Sequence, residues 1–220
     1  MAWVGREHYN LHYLMEISTN CVDIFMENAG FVHMNQKHQK WKELNETFSK
    51  NQKFPALITV VITDNKHAPG IQLAKNYNIP IKVFDKKKFN KSQFETNTQR
   101  VLLNYKIEII CLAGFMQILS KKFISKWQNR IINIHPSYLP KNKGLNPQKQ
   151  VIDEQAPFTG CTVHFVNEKV DSGKIILQEK VKVMQNDNVH SLSNRILRIE
   201  HEIYPKALNQ IASNMIRLKN

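Results

Sequence analysis

The run RIINIHP raises the first chemical question. Asn133 and His135 stand at i and i+2, so on a strand their side chains project from one face, and Pro136 ends the strand directly afterwards. The crevice beyond the carboxyl ends of the strands is where open α/β sheets bind their ligands, which makes a carboxamide beside an imidazole there a candidate catalytic pair. An N-x-H at a strand end also occurs as a cap or turn, and the local pattern leaves both readings open. Asp171, in VDSG, sits at a tight turn where aspartate commonly bonds its own backbone, so taken alone it reads as structural. His8 and His12 are spaced to share a helix face, yet no carboxylate or third ligand accompanies them, and no metal site is expected.

The elements that must position these residues begin at Leu57. From there short β-branched runs alternate with stretches of helical period, the pattern of β-α units around a mostly parallel sheet flanked by helices, an α/β fold. Strands are expected at Leu57–Asp64, Pro80–Phe84, Lys106–Gly114 and Arg130–Pro136, with helices at Ala68–Tyr77, Ser92–Tyr105 and Ser120–Trp127. The segment SYLPKNKGLNPQKQ is too rich in proline, glycine and polar residues for one continuous element, although Pro147–Glu154 can turn helical. Long loops of this kind usually carry function. GCTVHFVN and KIILQEKVKV form a strand pair joined by EKVDSG, and a closing helix from about Ser191 to Leu218 contains Pro205, expected to kink or divide it.

Residues 1–52 form a divergent segment without a clear strand, read as two loosely amphipathic helices around Leu11–Asn28 and Gln36–Lys50, ahead of a catalytic domain at 53–220. Trp3, Phe25, Phe31, Trp41 and Phe48 give it apolar anchors that a disordered tail would lack.

Composition narrows the classes. The 220 residues suit one main domain, and no apolar run nears the ~20 residues that cross a bilayer. The start lacks the basic end and apolar stretch of a signal peptide. Cys21, Cys111 and Cys161 lie far apart with no C-x-x-C pair, which argues against a disulfide framework or thiolate zinc site and for a reducing cytosol. The net charge of +13 comes from lysines in short groups without the arginine-aromatic interleaving of nucleic-acid platforms. No nucleic-acid or membrane partner is expected, and a basic field favours anionic small substrates.

AGFMQILS (113–120), INIHPSYLP (132–140), KGLNPQKQ (143–150), GCTVHFVNEKVDSGKII (160–176) and EHEIYP (200–205) occur in one order. On these segments the chain resembles the phosphoribosylglycinamide formyltransferase family from about Phe54 to Ala212. The proline after His135 and the closing E-H-x-x-Y-P look like this branch rather than the formyltetrahydrofolate deformylases, in which a second histidine typically follows the first. A catalytically impaired folate-binding protein is the third alternative.

The resemblance implies formyl transfer from 10-formyltetrahydrofolate, a cosubstrate, to the amine of glycinamide ribonucleotide, in the cytoplasm, by a monomer or homodimer that needs no metal. It assigns the catalytic roles to Asn133, His135 and Asp171, the pterin pocket to Met116, Gln117, Ile118 and Leu119 together with Asn133, and a contact with the ribonucleotide to Glu200. It implies that the Asn133 amide donates to the oxyanion of the tetrahedral intermediate, and that Asp171 keeps His135 cationic. His164 and His201 lie in the shared motifs without an implied catalytic role and are read as structural.

One departure stands out. Family members open with a strand, a glycine-rich loop that cradles phosphate, and a helix, whereas the only glycines upstream of Phe54 are Gly5 and Gly30, neither following a β-branched strand. An arginine of the segment matching Phe89–Glu95 is also missing. The absent strand would belong in the middle of the sheet, so either residues 1–52 supply a divergent replacement or the amino terminus is not the family's natural one. Without the cradle, affinity for the ribonucleotide is expected to fall steeply.

Overall fold

The computed structural model describes residues 31–34, 56–68 and 70–217. Among them the chain forms β1 (Phe31–Met34), β2 (Ile58–Thr63), α1 (Gly70–Asn76), β3 (Ile81–Val83), α2 (Lys91–Asn104) and β4 (Ile109–Leu112). These are followed by α3 (Lys121–Lys126), β5 (Ile131–His135), α4 (Pro147–Asp153), β6 (Phe158–Phe165), β7 (Ile175–Lys182) and α5 (Val189–Arg217). The strands make one seven-stranded sheet in the order β3-β2-β1-β4-β5-β6-β7. β2, β3, β4, β5 and β7 share a direction, while β1 and β6 run against it.

The central strands are apolar throughout because both of their faces are covered. In β4, Ile109 and Cys111 join one buried cluster and Ile110 and Leu112 the other. The first cluster is closed by α5, through Leu192, Ile196, Ile203, Tyr204, Ala207 and Leu208, and the second by α2 and α3, through Phe94, Leu102, Phe123, Ile124 and Trp127. The result is a three-layer α/β/α stack. Local chemistry agrees with these boundaries. Asn90 and Gln93 form a reciprocal capping box at the start of α2, and the Ser120 hydroxyl accepts from Phe123 N–H at the start of α3. Such caps are worth about 1 kcal/mol each. No helix among the described residues is long and apolar enough to cross a membrane.

Two expectations are corrected. The segment before Phe54 was read as having no clear strand, yet Phe31–Met34 lies between β2 and β4 and pairs antiparallel with both. Four residues suffice because the neighbours offer ladder groups on either side that would otherwise go unpaired. The helices expected around Leu11–Asn28 and Gln36–Lys50 lie outside the described residues. The closing helix is also continuous across Pro205. A proline removes one backbone bond, but Ile203, Tyr204, Ala207 and Leu208 on either side are buried and hold both halves against the sheet.

The reversal of β1 has a geometric consequence. Phe31 pairs beside Ile62, near the carboxyl end of β2, and Met34 beside Ile58 and Ile109 at the other end. The chain therefore leaves β1 at the edge opposite the one where β4 and β5 end.

Tyr204 ties α5 to the sheet, its hydroxyl donating to the Leu112 carbonyl at 2.8 Å and approaching that of Ile132 at 3.4 Å. Tyr204→Phe leaves these buried acceptors short of a donor and is expected to cost roughly 1–3 kcal/mol, read as a lower urea midpoint at unchanged m-value; an unaltered midpoint would show the bond to be dispensable.

Candidate active site

β5 carries Asn133 and His135 on the face turned toward α2 and α3, since Ile132 and Ile134 between and before them belong to the α5 cluster. β6 runs antiparallel alongside, placing His164 directly opposite Asn133 and Thr162 directly opposite His135. Opposed residues of paired strands share a face, so one small patch collects an amide, two imidazoles and a hydroxyl. Thr162 secures the loop after β5: its hydroxyl donates to the Ser137 carbonyl at 2.8 Å and accepts from Leu139 N–H at 3.1 Å.

Asp171 arrives from the β6–β7 turn. Its Oδ2 lies 3.4 Å from His135 Nδ1 and its Oδ1 3.5 Å from His164 Nε2, so the carboxylate bridges the two rings. It also accepts the Gly144 N–H at 2.9 Å. Two backbone features fix this placement. Asp171 adopts a left-handed conformation with φ 45°, which aspartate tolerates better than most residues and which over-determined functional turns commonly retain. Gly173 passes so close to β6 that a Cβ there would collide with the Phe165 carbonyl oxygen, so the turn demands glycine.

The loop after β5 closes over the site. His135 Nε2 donates to the Asn142 carbonyl at 2.9 Å, and Lys143 reaches Ser172 at 2.6 Å. The structure thus brings together Asn133, His135 and Asp171, which are distant in sequence, and adds His164, whose Nε2 is 3.5 Å from the Asn133 amide nitrogen and whose Nδ1 donates to the Phe165 carbonyl at 2.9 Å. His164 was read as structural from sequence. Only the register of β5 against β6 reveals that it faces the other three.

The charge state corrects another expectation. Asp171 was expected to keep His135 cationic. Burial instead pulls the imidazole below its ordinary range, with His164 adding to that; the Asn142 carbonyl and the Asp171 carboxylate oppose the shift without cancelling it. Burial pushes the Asp171 carboxyl up, but His164, the Gly144 N–H and His135 together outweigh it and leave it below the usual carboxylate range. His135 Nε2 carries a proton, since it faces the Asn142 carbonyl, and the ring's other nitrogen lies beside the carboxylate.

The remaining candidates are dispersed. Met116 and Ile118 are 61% and 64% exposed, whereas Leu119 is buried in the α2–α3 core. Gln117 turns its amide to Asp64 Oδ2 at 2.7 Å. Glu200 is buried on α5, near enough to Cys161 and Tyr204 to raise both their pKa values, and so lies toward the opposite face of the sheet from Asn133 and His135. Among the described residues no group of three or more histidine, cysteine, aspartate or glutamate side chains is placed to hold a metal ion.

Below their ordinary ranges both His135 and Asp171 bind fewer protons folded than unfolded, so stability falls on acidification, first between the ordinary imidazole range and the lowered His135 value, then through the lowered Asp171 value. In an NMR titration the His135 ring is expected below the free-imidazole midpoint, and Asp171→Asn is expected to lower it further by removing an upward influence. A rise in that variant would contradict the assigned charge balance.

This arrangement has relatives. A family model described as formyl transferase matches residues 31–208. A trifunctional purine biosynthetic protein adenosine-3 from Bos taurus is 46% identical over 74% of this chain, which spans 16% of that protein's length. The phosphoribosylglycinamide formyltransferase of Haemophilus influenzae is 38% identical over 76% of this chain and 79% of its own. Among solved structures, phosphoribosylglycinamide formyltransferase from Anaplasma phagocytophilum superposes with a TM-score of 0.68 at 41% identity, covering 72% of this chain and 76% of that one. The enzyme of the same name from Bacillus halodurans gives 0.71 at 31% identity, covering 78% and 89%. Sequence, fold and family model agree that the chain belongs to the formyl transferase family, on its phosphoribosylglycinamide formyltransferase branch.

Proposed function

We propose that the chain transfers the formyl group of 10-formyltetrahydrofolate to the amine of glycinamide ribonucleotide. The observation that carries this reading is the Asp171 carboxylate lying within 3.4 Å of His135 and 3.5 Å of His164, with the Asn133 amide alongside. The substrate amine attacks the formyl carbon, negative charge gathers on the formyl oxygen, the bond from carbon to the folate nitrogen breaks, and one proton passes from the amine to that nitrogen. The Asn133 amide supplies a donor for the oxyanion. The His135 Nε2–H supplies a second donor, Asp171 favours positive charge on the ring, and a water ordered by the pair carries the proton from the amine to the leaving nitrogen. His164 holds Asp171 from its other oxygen. Substrate competes with the Asn142 carbonyl for His135 Nε2, since such contacts rearrange in the productive complex.

The exposed apolar side chains of Met116 and Ile118 are available to a pterin ring, whereas Leu119 contributes only from within the core. Glu200, buried on α5, contacts the ribonucleotide away from the reacting amine in this reading. The substrates are small molecules, and the turn that presents Asp171 needs no metal.

Incubation with 10-formyltetrahydrofolate, with and without glycinamide ribonucleotide, tests the proposal: deformylated folate appearing only with the amine supports transfer, release without the amine shows hydrolysis, and no release in either arm shows a binding protein. His135→Ala and Asp171→Ala are each expected to lower kcat/KM roughly 10²–10⁴-fold, and Asn133→Ala to lower kcat about 10²–10³-fold, with circular dichroism unchanged. Near-normal turnover in the His135 or Asp171 variant would overturn the assignment.

A further inference from the structure

The stretch between β4 and α3 is irregular, with a bend at Gln117, and alternates in burial. Phe115 stacks on Phe94 with ring centroids 6.0 Å apart, Leu119 enters the core, and Met116 and Ile118 between them are exposed. Its far end is held by Glu95, whose carboxylate accepts the Ser120 N–H at 2.7 Å and the Ser120 hydroxyl at 2.5 Å. The midpoint, between the two exposed apolar side chains, is held from elsewhere: Gln117 Nε2 donates to Asp64 Oδ2 at 2.7 Å.

Asp64 is a rigid anchor. It follows the last residue of β2, its carbonyl accepts the Lys86 N–H at 2.9 Å, and the turn beyond it is closed by Asn65 N–H on the Thr63 hydroxyl at 3.1 Å. A bond from an amide to a carboxylate is stronger than a neutral one. It also crosses the sheet, since β1 lies between the strands that Asp64 and Gln117 follow.

We infer that Asp64 is a positioning residue: through the Gln117 side chain it fixes the spacing and tilt of Met116 and Ile118, and so sets affinity for the flat heteroaromatic ring of the folate substrate. The inference rests on the function proposed above. Asp64 reaches the ligand only through Gln117. Losing it leaves the middle of the segment to be ordered on binding, at a cost in affinity, while the Asn133, His135, Asp171 and His164 cluster, held by β5, β6 and the β6–β7 turn, keeps its geometry.

The test is calorimetric titration with tetrahydrofolate together with steady-state kinetics. Asp64→Ala is expected to raise the tetrahydrofolate Kd about tenfold and the KM for 10-formyltetrahydrofolate in proportion, leaving kcat and the KM for glycinamide ribonucleotide unchanged. Asp64→Asn keeps an acceptor and is expected to stay near wild type. Gln117→Glu sets two carboxylates against each other and reproduces the Asp64→Ala effect, and the double variant Asp64→Asn with Gln117→Glu recovers affinity because the amide and carboxylate have exchanged places. Wild-type binding that Asp64→Ala leaves unaltered, or a loss shared equally by kcat and both KM values, overturns the inference alone. A wild-type chain that neither binds tetrahydrofolate nor transfers formyl overturns the proposed function and this inference with it.

Discussion

A carboxylate shared by two buried imidazoles is the constraint around which the site is built. Asp171 faces His135 through one oxygen and His164 through the other, and no single element makes that geometry. It needs β5 and β6 in register, a turn that passes tightly under Phe165, and a loop that returns Gly144 to the carboxylate. Burial is costly for each charged form: it pulls the His135 imidazole below its ordinary range against the Asn142 carbonyl and the Asp171 carboxylate, which both favour charge on the ring.

The sheet provides rigidity where that arrangement requires it. β4, β5 and β6 form a unit bound to α5 by the Tyr204 hydroxyl at the Leu112 and Ile132 carbonyls. The same α5 cluster buries Cys111 and Cys161, whose thiols are pushed well above their ordinary range by desolvation, leaving them inert packing groups. The chemistry-bearing face and the anchoring face are thus opposite sides of the same strands. α5 thus braces the strands that carry Asn133 and His135 from the opposite face.

Much of this was legible in the sequence, for identifiable reasons. The runs ITVVIT and IINIH are β-branched and continuous because both faces are buried, and Ser120 and Asn90 announce helix starts by capping chemistry. Asn133 and His135 could be placed on one face from spacing alone. His164 could not, since TVHFV sets parity along β6 but not its register against β5. The charge of His135 was misjudged because proximity to Asp171 is visible in a motif, whereas burial depth is a property of the assembled fold. FVHM was passed over because four residues carry too little pattern to announce a strand; pairing on both sides supplies what propensity does not.

That short strand lies at the centre of the sheet, between β2 and β4. Here β1 runs antiparallel to both neighbours, so Met34 lies beside Ile58 and Ile109, at the end of the strands away from Asn133 and His135. Asn133, His135, His164 and Asp171 all come from β5, β6 and the turn after β6, and their placement is independent of this reversal. What the reversal touches is the join between the β2–β3 half and the β4–β7 half, where four residues of ladder and the contact from Gln117 to Asp64 act together with two apolar clusters that each draw on both halves. The side-chain cluster and the centre of the sheet are therefore separable in this fold: the first is carried by β5, β6 and the turn after them, and the second by packing that both halves of the sheet share.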